Sequence, residues 1–383
     1  MLTPGKRVDM PPLARRNLTH DKVRLAVTLT GIVFAVVLIV VQLGLFIGFT
    51  KTTSGLIDHS GVDLWVGPRH IPYLEQATPF SERKFYQVLA TPGVEEAQKY
   101  IVRFADWQRP DGGHEGIQVV GFNPESKFGA PWNVIAGKVE DLKQPDAVMV
   151  DQFYVATLGV TGIGQVFEIQ GRRARVVGFT WGIRAFTTTP YVFTTFKNAQ
   201  GYTRLQENQT LFILVKAKPG VNLQQLKRAL AERVSNVDVY TTTEFSRMTS
   251  FYWMFSTGAG IAVLLAALLG LVVGVVVVAQ TIYATTVDHL REYGTLKAMG
   301  APNRYVYSVI IKQAAISAVL GYVVGMAVSI FVVHGSQKGG AAIVVPWPMG
   351  VGIFGLTLFM CIIAAVVSIN KVTRIDPAMV FKG

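Results

Sequence analysis

Four apolar stretches, each long enough to cross a bilayer, constrain this chain more than any other feature. A helix crossing the roughly 30 Å hydrocarbon layer needs about 20 apolar residues. Residues 25–49, 258–282, 305–333 and 349–370 meet that length, and together they hold one charged residue, Lys312. The first stretch is too long for the apolar region of a signal peptide, and no small-x-small cleavage site follows it. It is therefore expected to remain as a span. Only 16% of the 383 residues are charged, against about a quarter in soluble domains.

Lys and Arg in the short flanks set the orientation. Lys6, Arg7, Arg15, Arg16, Lys22 and Arg24 precede the first span. Arg291, Lys297 and Arg304 lie between the second and third, and Lys371, Arg374 and Lys382 follow the fourth. The segment 334–348 carries only Lys338. Both termini and the segment 283–304 are thus expected in the cytoplasm, with 50–257 and 334–348 outside. The formal net charge is +12, but 50–257 holds 22 Lys+Arg against 19 Asp+Glu, a net of +3. Most of the basic balance is a topology signal, and no nucleic-acid stripe is present.

The segment 50–257 reads as mixed α and β. A helix followed by Pro-Gly and a strand opening at Val94 is expected within 81–100. The order repeats at 222–240, after an apolar run at 211–217. This suggests two βαβ units, although helix-then-strand is a common order in unrelated chains. Short β signals at 148–151, 165–179 (with a turn at Gln170-Gly171-Arg172) and 191–195 suggest a β-rich part around 125–205. Phe251, Tyr252, Trp253 and Phe255, just before the second span, read as an interfacial aromatic belt on a stalk, or else as core.

Catalytic signatures are missing. There is no P-loop, no H-E-x-x-H and no G-x-S-x-G. The six histidines lack metal spacing; His59 and His70 flank an expected strand and read as surface residues. The one cysteine, Cys361, lies in an apolar run and rules out an intrachain disulfide. Trp132, Trp181, Phe186 and Tyr191 form an aromatic-rich stretch, read as core or as a docking face.

Within the spans, Gln42 is a candidate for a hydrogen bond between helices. Lys312 is expected to snorkel to the interface. Three small-xxx-small pairs, Gly44/Gly48, Gly270/Gly274 and Gly321/Gly325, are candidates for close helix packing, a homodimer seam included.

The sharpest local feature is residues 289–301, HLREYGTLKAMGA, ahead of Pro302. Leu290, Tyr293, Leu296 and Lys297 have helical spacing, broken by Gly294, and Gly300 with Pro302 marks a stop. The segment is too polar to span. It is read as a short helix on the inner surface that a cytoplasmic partner can grip, or as a plain interfacial linker.

That segment resembles the coupling segment of MacB/FtsX-type permeases of ABC transporters, of the form R-E-x-G-x-L-K-A-[IM]-G-A. Arg291, Glu292, Gly294, Leu296, Lys297, Ala298, Met299, Gly300 and Ala301 match it. The N-terminal 13–45 looks like the family's amphipathic lead-in and first span. The tail VTRIDPAMVFKG is similar to the family's closing segment, with Arg374 and Pro377 in place and Val380-Phe381 where Leu is common. The resemblance covers the whole chain and leans to the DevC branch through residues 18–24 and Gln42-Leu43-Gly44.

The resemblance implies a bacterial inner-membrane protein: a four-span α-helical transmembrane domain plus an extracytoplasmic α+β domain of MacB-like periplasmic type. It implies an organisation of 1–24 (cytoplasmic amphipathic segment), 25–49, 50–257 (periplasmic domain with stalk), 258–282, 283–304 (coupling loop), 305–333, 334–348, 349–370 and 371–383 (cytoplasmic tail). Two copies pair, and each is driven by a separate cytoplasmic ABC ATPase gripping the coupling residues Arg291 to Gly300. No cofactor is expected in this chain; ATP and Mg belong to the ATPase. A periplasmic membrane-fusion protein and an outer-membrane channel complete the export assembly, with lipid-like cargo. The alternatives are an FtsX-like mechanotransmission regulator of a periplasmic hydrolase, without transport, and a membrane-anchored enzyme, against which the missing motifs count.

Overall fold

The computed structural model describes residues 22–185, 187, 189–288, 292, 294–295, 299, 302–336 and 343–373. The chain divides into two compact units, 1–48 with 261–383, and 49–260.

The first unit is helical. It is built on α1 (Lys22–Asp58, through Gly48) and three further helices that follow the second unit in the chain. Among the described residues four helices are long and apolar enough to cross a membrane. Ile32, Ala35, Val36, Ile39 and Val40 of α1 are buried in this unit. Elsewhere large apolar side chains are exposed, as lipid contact allows.

The second unit is an α+β domain. β1 (Leu64–Gly67), β2 (Phe80–Ser81), α2 (Lys84–Leu89), β3 (Val94–Gln108) and β4 (His114–Phe122) come first. Then follow β5 (Val134–Ala136), β6 (Ala147–Asp151), α3 (Val155–Leu158), β7 (Val166–Ile169), β8 (Arg172–Thr180) and β9 (Tyr191–Thr195). α4 (Phe196–Tyr202), β10 (Gln209–Thr210), β11 (Phe212–Ala217), α5 (Leu223–Arg233), β12 (Asp238–Thr241) and α6 (Thr242–Phe251) complete it. A π-helical turn, Tyr252–Ser256, leads to α7 (Ala259–Asp288), then α8 (Asn303–Ser336) and α9 (Trp347–Thr373) in the helical unit.

Strands run in the order β12-β1-β11-β3, with β1 antiparallel to both β11 and β12 and β3 antiparallel to β11. β1–α2–β3 and β11–α5–β12 are therefore two interleaved βαβ units, as the repeated helix-then-strand order suggested. Local chemistry fixes their helices. Asn222 caps α5 by accepting from the backbone N–H of Gln224 and Gln225. Thr241 and Glu244 form a capping box on α6, and Lys227 of α5 reaches Glu244 at 2.6 Å.

β3 is the backbone of the domain. Its 15 residues contain no Gly or Pro and many β-branched and aromatic side chains, so nothing interrupts the strand. Its first half pairs with β11 and its second half, from Ile101, pairs with β4. From there a ring closes: β4 to β9, β9 to β6, β6 to β8, β8 to β7, and β7 back to β3 through Trp107↔Ile169. The β-rich part thus begins at 101, upstream of the expected 125. Local β signals could not show that one strand serves both halves. The turn at Gln170-Gly171 is as expected, with both residues at positive φ (52° and 76°) joining β7 to β8.

Asp151, buried at the end of β6, ties the barrel mouth. Its Oδ1 accepts from the Phe153 N–H, and its Oδ2 accepts from the Thr180 hydroxyl and the Ile183 N–H. Burial pushes its carboxyl up, and these donors pull it back. In Asp151→Asn the amide NH₂ must face at least one backbone N–H in either orientation. The expected cost is about 1–3 kcal/mol, read as a lower unfolding temperature of the full chain in detergent.

Candidate coupling segment and helix seams

Of the coupling candidates, Arg291, Leu296, Lys297, Ala298 and Gly300 lie outside the described residues, as do Leu290 and Tyr293. Glu292, Gly294 and Thr295 are helical. Glu292 is exposed and Gly294 buried; Met299 is 72% exposed and donates its N–H to the Thr295 carbonyl at 3.0 Å. The described part therefore presents a carboxylate and an uncovered thioether on one short segment, the mix of charge and apolar surface that a protein partner can grip.

Five of the six glycines meet partners inside one protomer. A Cβ at Gly270 would meet Leu38 and Gln42 of α1 at 3.3–3.4 Å, and one at Gly274 would meet Ala35 and Ile39 at 3.3–3.4 Å. On α8, a Cβ at Gly321 would run into Ile32, and one at Gly325 would lie 2.8 Å from Val36. Gly31 of α1 faces Thr281 of α7 in the same way. α1 is thus the common partner of α7 and α8, with glycines removing the side chains that would hold the backbones apart.

Gly44 departs from the expectation of a helix–helix pair. It meets the segment Ile343–Val345 ahead of α9, where Val344 donates its N–H to the Gly44 carbonyl at 3.1 Å. A Cβ there would lie 2.6 Å from Ile343. Chain outside a helix at this depth needs its polar groups satisfied, and the bare helix face at Gly44 supplies one acceptor. Gly48 is buried. Gln42 lays its side chain over Gly270, and Lys312 is exposed near the start of α8.

In the α+β domain the aromatic readings divide. Phe251 and Phe255 are exposed and pack on each other, whereas Tyr252 and Trp253 pack on Tyr73. Tyr191 is core, Trp132 is half-buried against His59, and Trp181 is half exposed; Phe186 lies outside the described residues. Among the described residues no His, Cys, Asp or Glu cluster could hold a metal ion. Nothing in the residue pattern points to Glu75, whose carboxyl is buried in the turn between Leu74 and Gln76.

Comparison with known proteins follows the same division. The family model described as MacB-like periplasmic core domain matches residues 25–233. The model described as FtsX-like permease C-terminal matches 264–377, which includes the coupling candidates. An uncharacterised ABC transporter permease of Mycobacterium bovis is 27% identical over 97% of this chain and 99% of its own length. Another, from Mycobacterium tuberculosis, is 27% identical over 380 residues, with the same coverage. Among solved structures, the periplasmic region of MacB from Actinobacillus actinomycetemcomitans aligns over 48% of this chain and 90% of that one, at 11% identity and TM-score 0.38. The extracellular domain of the noncanonic ABC-type transporter YknZ from Gram-positive bacteria aligns over 47% and 98%, at 14% identity and TM-score 0.36. With four apolar helices, a MacB-like α+β domain after the first and an FtsX-like region over the last three, this chain belongs to the MacB/FtsX-type family of ABC transporter permeases.

Proposed function

We propose that the chain is the permease subunit of an ABC-type exporter that transmits ATPase motion to its MacB-like domain. The observation that carries this reading is the character of the helical unit. Its four expected spans hold one charged residue, Lys312, and glycine seams draw α7 and α8 tightly onto α1. A hydrophilic solute path needs polar or charged lining, so the unit is better suited to moving as packed helices than to conducting a solute. The family implies an ATPase partner; it is placed on a separate subunit, with ATP and Mg, because this chain has no P-loop. The ATPase docks on 283–304, and both termini lie with it in the cytoplasm.

A second copy pairs with the first. The glycine seams are used within one protomer, so the copies meet through other surface, such as the exposed apolar face of α7 at Leu265, Leu268, Leu269 and Val272. A membrane-fusion protein and an outer-membrane channel complete the path for a lipid-like or lipophilic cargo.

The test is to isolate the detergent-solubilised chain from its native membrane and identify what accompanies it. An ATPase with a fusion protein is the expected result. An ATPase accompanied by a periplasmic hydrolase and no fusion protein would replace export with mechanical regulation.

A further inference from the structure

Glu75 sits in the short 3₁₀ turn Leu74–Gln76 of the α+β domain. Its carboxyl is buried, and Oε2 has no hydrogen-bond partner among the described residues. The backbone N–H of Glu75 and the Trp253 indole both favour its ionised form. Its surroundings are aromatic. Tyr73, one residue before the turn, stacks on Tyr252 with centroids 4.3 Å apart and planes 21° apart, and meets Trp253 edge-on at 5.1 Å. Tyr191 of β9 lies within electrostatic reach on the barrel side, with Tyr100 of β3 beyond it. Among the described residues no cation acts on Glu75.

Tyr252 and Trp253 open the π-helical turn Tyr252–Ser256, through which the chain passes into α7. That turn is a joint rather than a continuous helix. Gly258 follows it at φ 76°, and a Cβ at Gly260 would lie 2.5 Å from the Met254 Cα. π-helical turns often mark functional positions. Here the turn is held by ring contacts to Tyr73, beside a buried carboxyl with an unsatisfied oxygen.

We propose that Glu75 is a proton-binding site that latches the turn Tyr252–Ser256 onto the α+β domain, holding it when protonated and loosening it when ionised. A buried carboxylate without a counter-cation is costly, whereas the neutral acid is not. Burial accordingly pushes the carboxyl up to about 7 from an ordinary 4.5, with its own backbone N–H and the Trp253 indole pulling the other way. Tyr73 and Tyr191 are themselves pushed up, burial first, then for Tyr73 the neighbouring Tyr252 and Glu75 and for Tyr191 the Glu75 charge, so both stay phenols near neutral pH. A carboxyl raised on folding contributes fully below its unfolded value of 4.5, and the contribution is lost as pH rises through about 7. The latch is tight in acid and loose in base.

The experiment is amide hydrogen exchange on the full chain in lipid nanodiscs across pH, corrected for the intrinsic pH dependence of exchange. Opening of the segment 250–258 is expected to rise about tenfold between about pH 6 and pH 8 in the wild type. Glu75→Gln is expected to remove that rise. Trp253→Phe removes a donor that favours the carboxylate and is expected to move the midpoint to higher pH, and it decides the matter if Glu75→Gln does not fold. A wild-type profile without the rise, the same rise in Glu75→Gln, or an unmoved midpoint in Trp253→Phe would overturn the proposal.

Discussion

Gly321→Ala is expected to destabilise the helical unit by about 1–3 kcal/mol, and Gly321→Leu by more, because no space exists for either side chain. The added Cβ runs into the Cγ2 and Cβ of Ile32, a fully buried side chain on α1. Ile32 cannot step aside, since it is also part of the buried cluster that joins α1 to the other helices. Trimming the opposing residue is the internal control: Ile32→Ala combined with Gly321→Ala should recover part of the loss, so the two changes are not additive. Gly352→Ala and Gly355→Ala on α9 are the external control. A Cβ at either meets nothing within 4 Å, so both should stay within about 0.5 kcal/mol of wild type. Thermal unfolding in detergent separates these cases. Equal loss at Gly321 and Gly355 would mean that α1 and α8 do not meet at this seam.

The α+β domain has a comparable weak point at Trp65. This fully buried residue of β1 packs on Tyr100 and Phe212 edge-on, at 5.6 and 5.4 Å between centroids, and on Phe245 at 5.3 Å. Trp65→Ala empties the centre of that cluster and is expected to cost about 3–5 kcal/mol. The Trp65 indole N–H is buried without a partner among the described residues. Trp65→Phe therefore keeps most of the ring contact and removes an unsatisfied donor, so it should cost much less. Trp181→Ala, at a half-exposed site, should fall near wild type. Amide exchange of β1, β3 and β11 peptides in the full chain reads these differences. A Trp65→Ala domain as protected as wild type would contradict the packing described.

How much of this was legible in the sequence depends on range. Apolar length marked the helical stretches, and the Gln170-Gly171 turn and the repeated helix-then-strand order were visible because each is a local signal. The barrel was not. It closes only because β3 runs uninterrupted through both halves and β7 returns to it, a pairing between residues some 60 positions apart in the chain. The glycine pairs announced close packing but not its partners; that Gly44 receives the segment before α9 depends on tertiary placement. Glu75 had no signal at all, because a single Glu in a turn looks like surface until Trp253 and Tyr191 are brought to it. For the coupling segment the order of types at 291–301 was the signal, and Glu292 and Met299 are the described residues through which a partner can be tested.

The most direct measurement compares the wild type with Glu292→Lys for retention of the ATPase on the detergent-solubilised chain. Reversing the charge on an exposed carboxylate of the coupling segment should release the ATPase. An ATPase held equally by both would place the coupling elsewhere, and no ATPase with the wild type would contradict the role proposed for this chain.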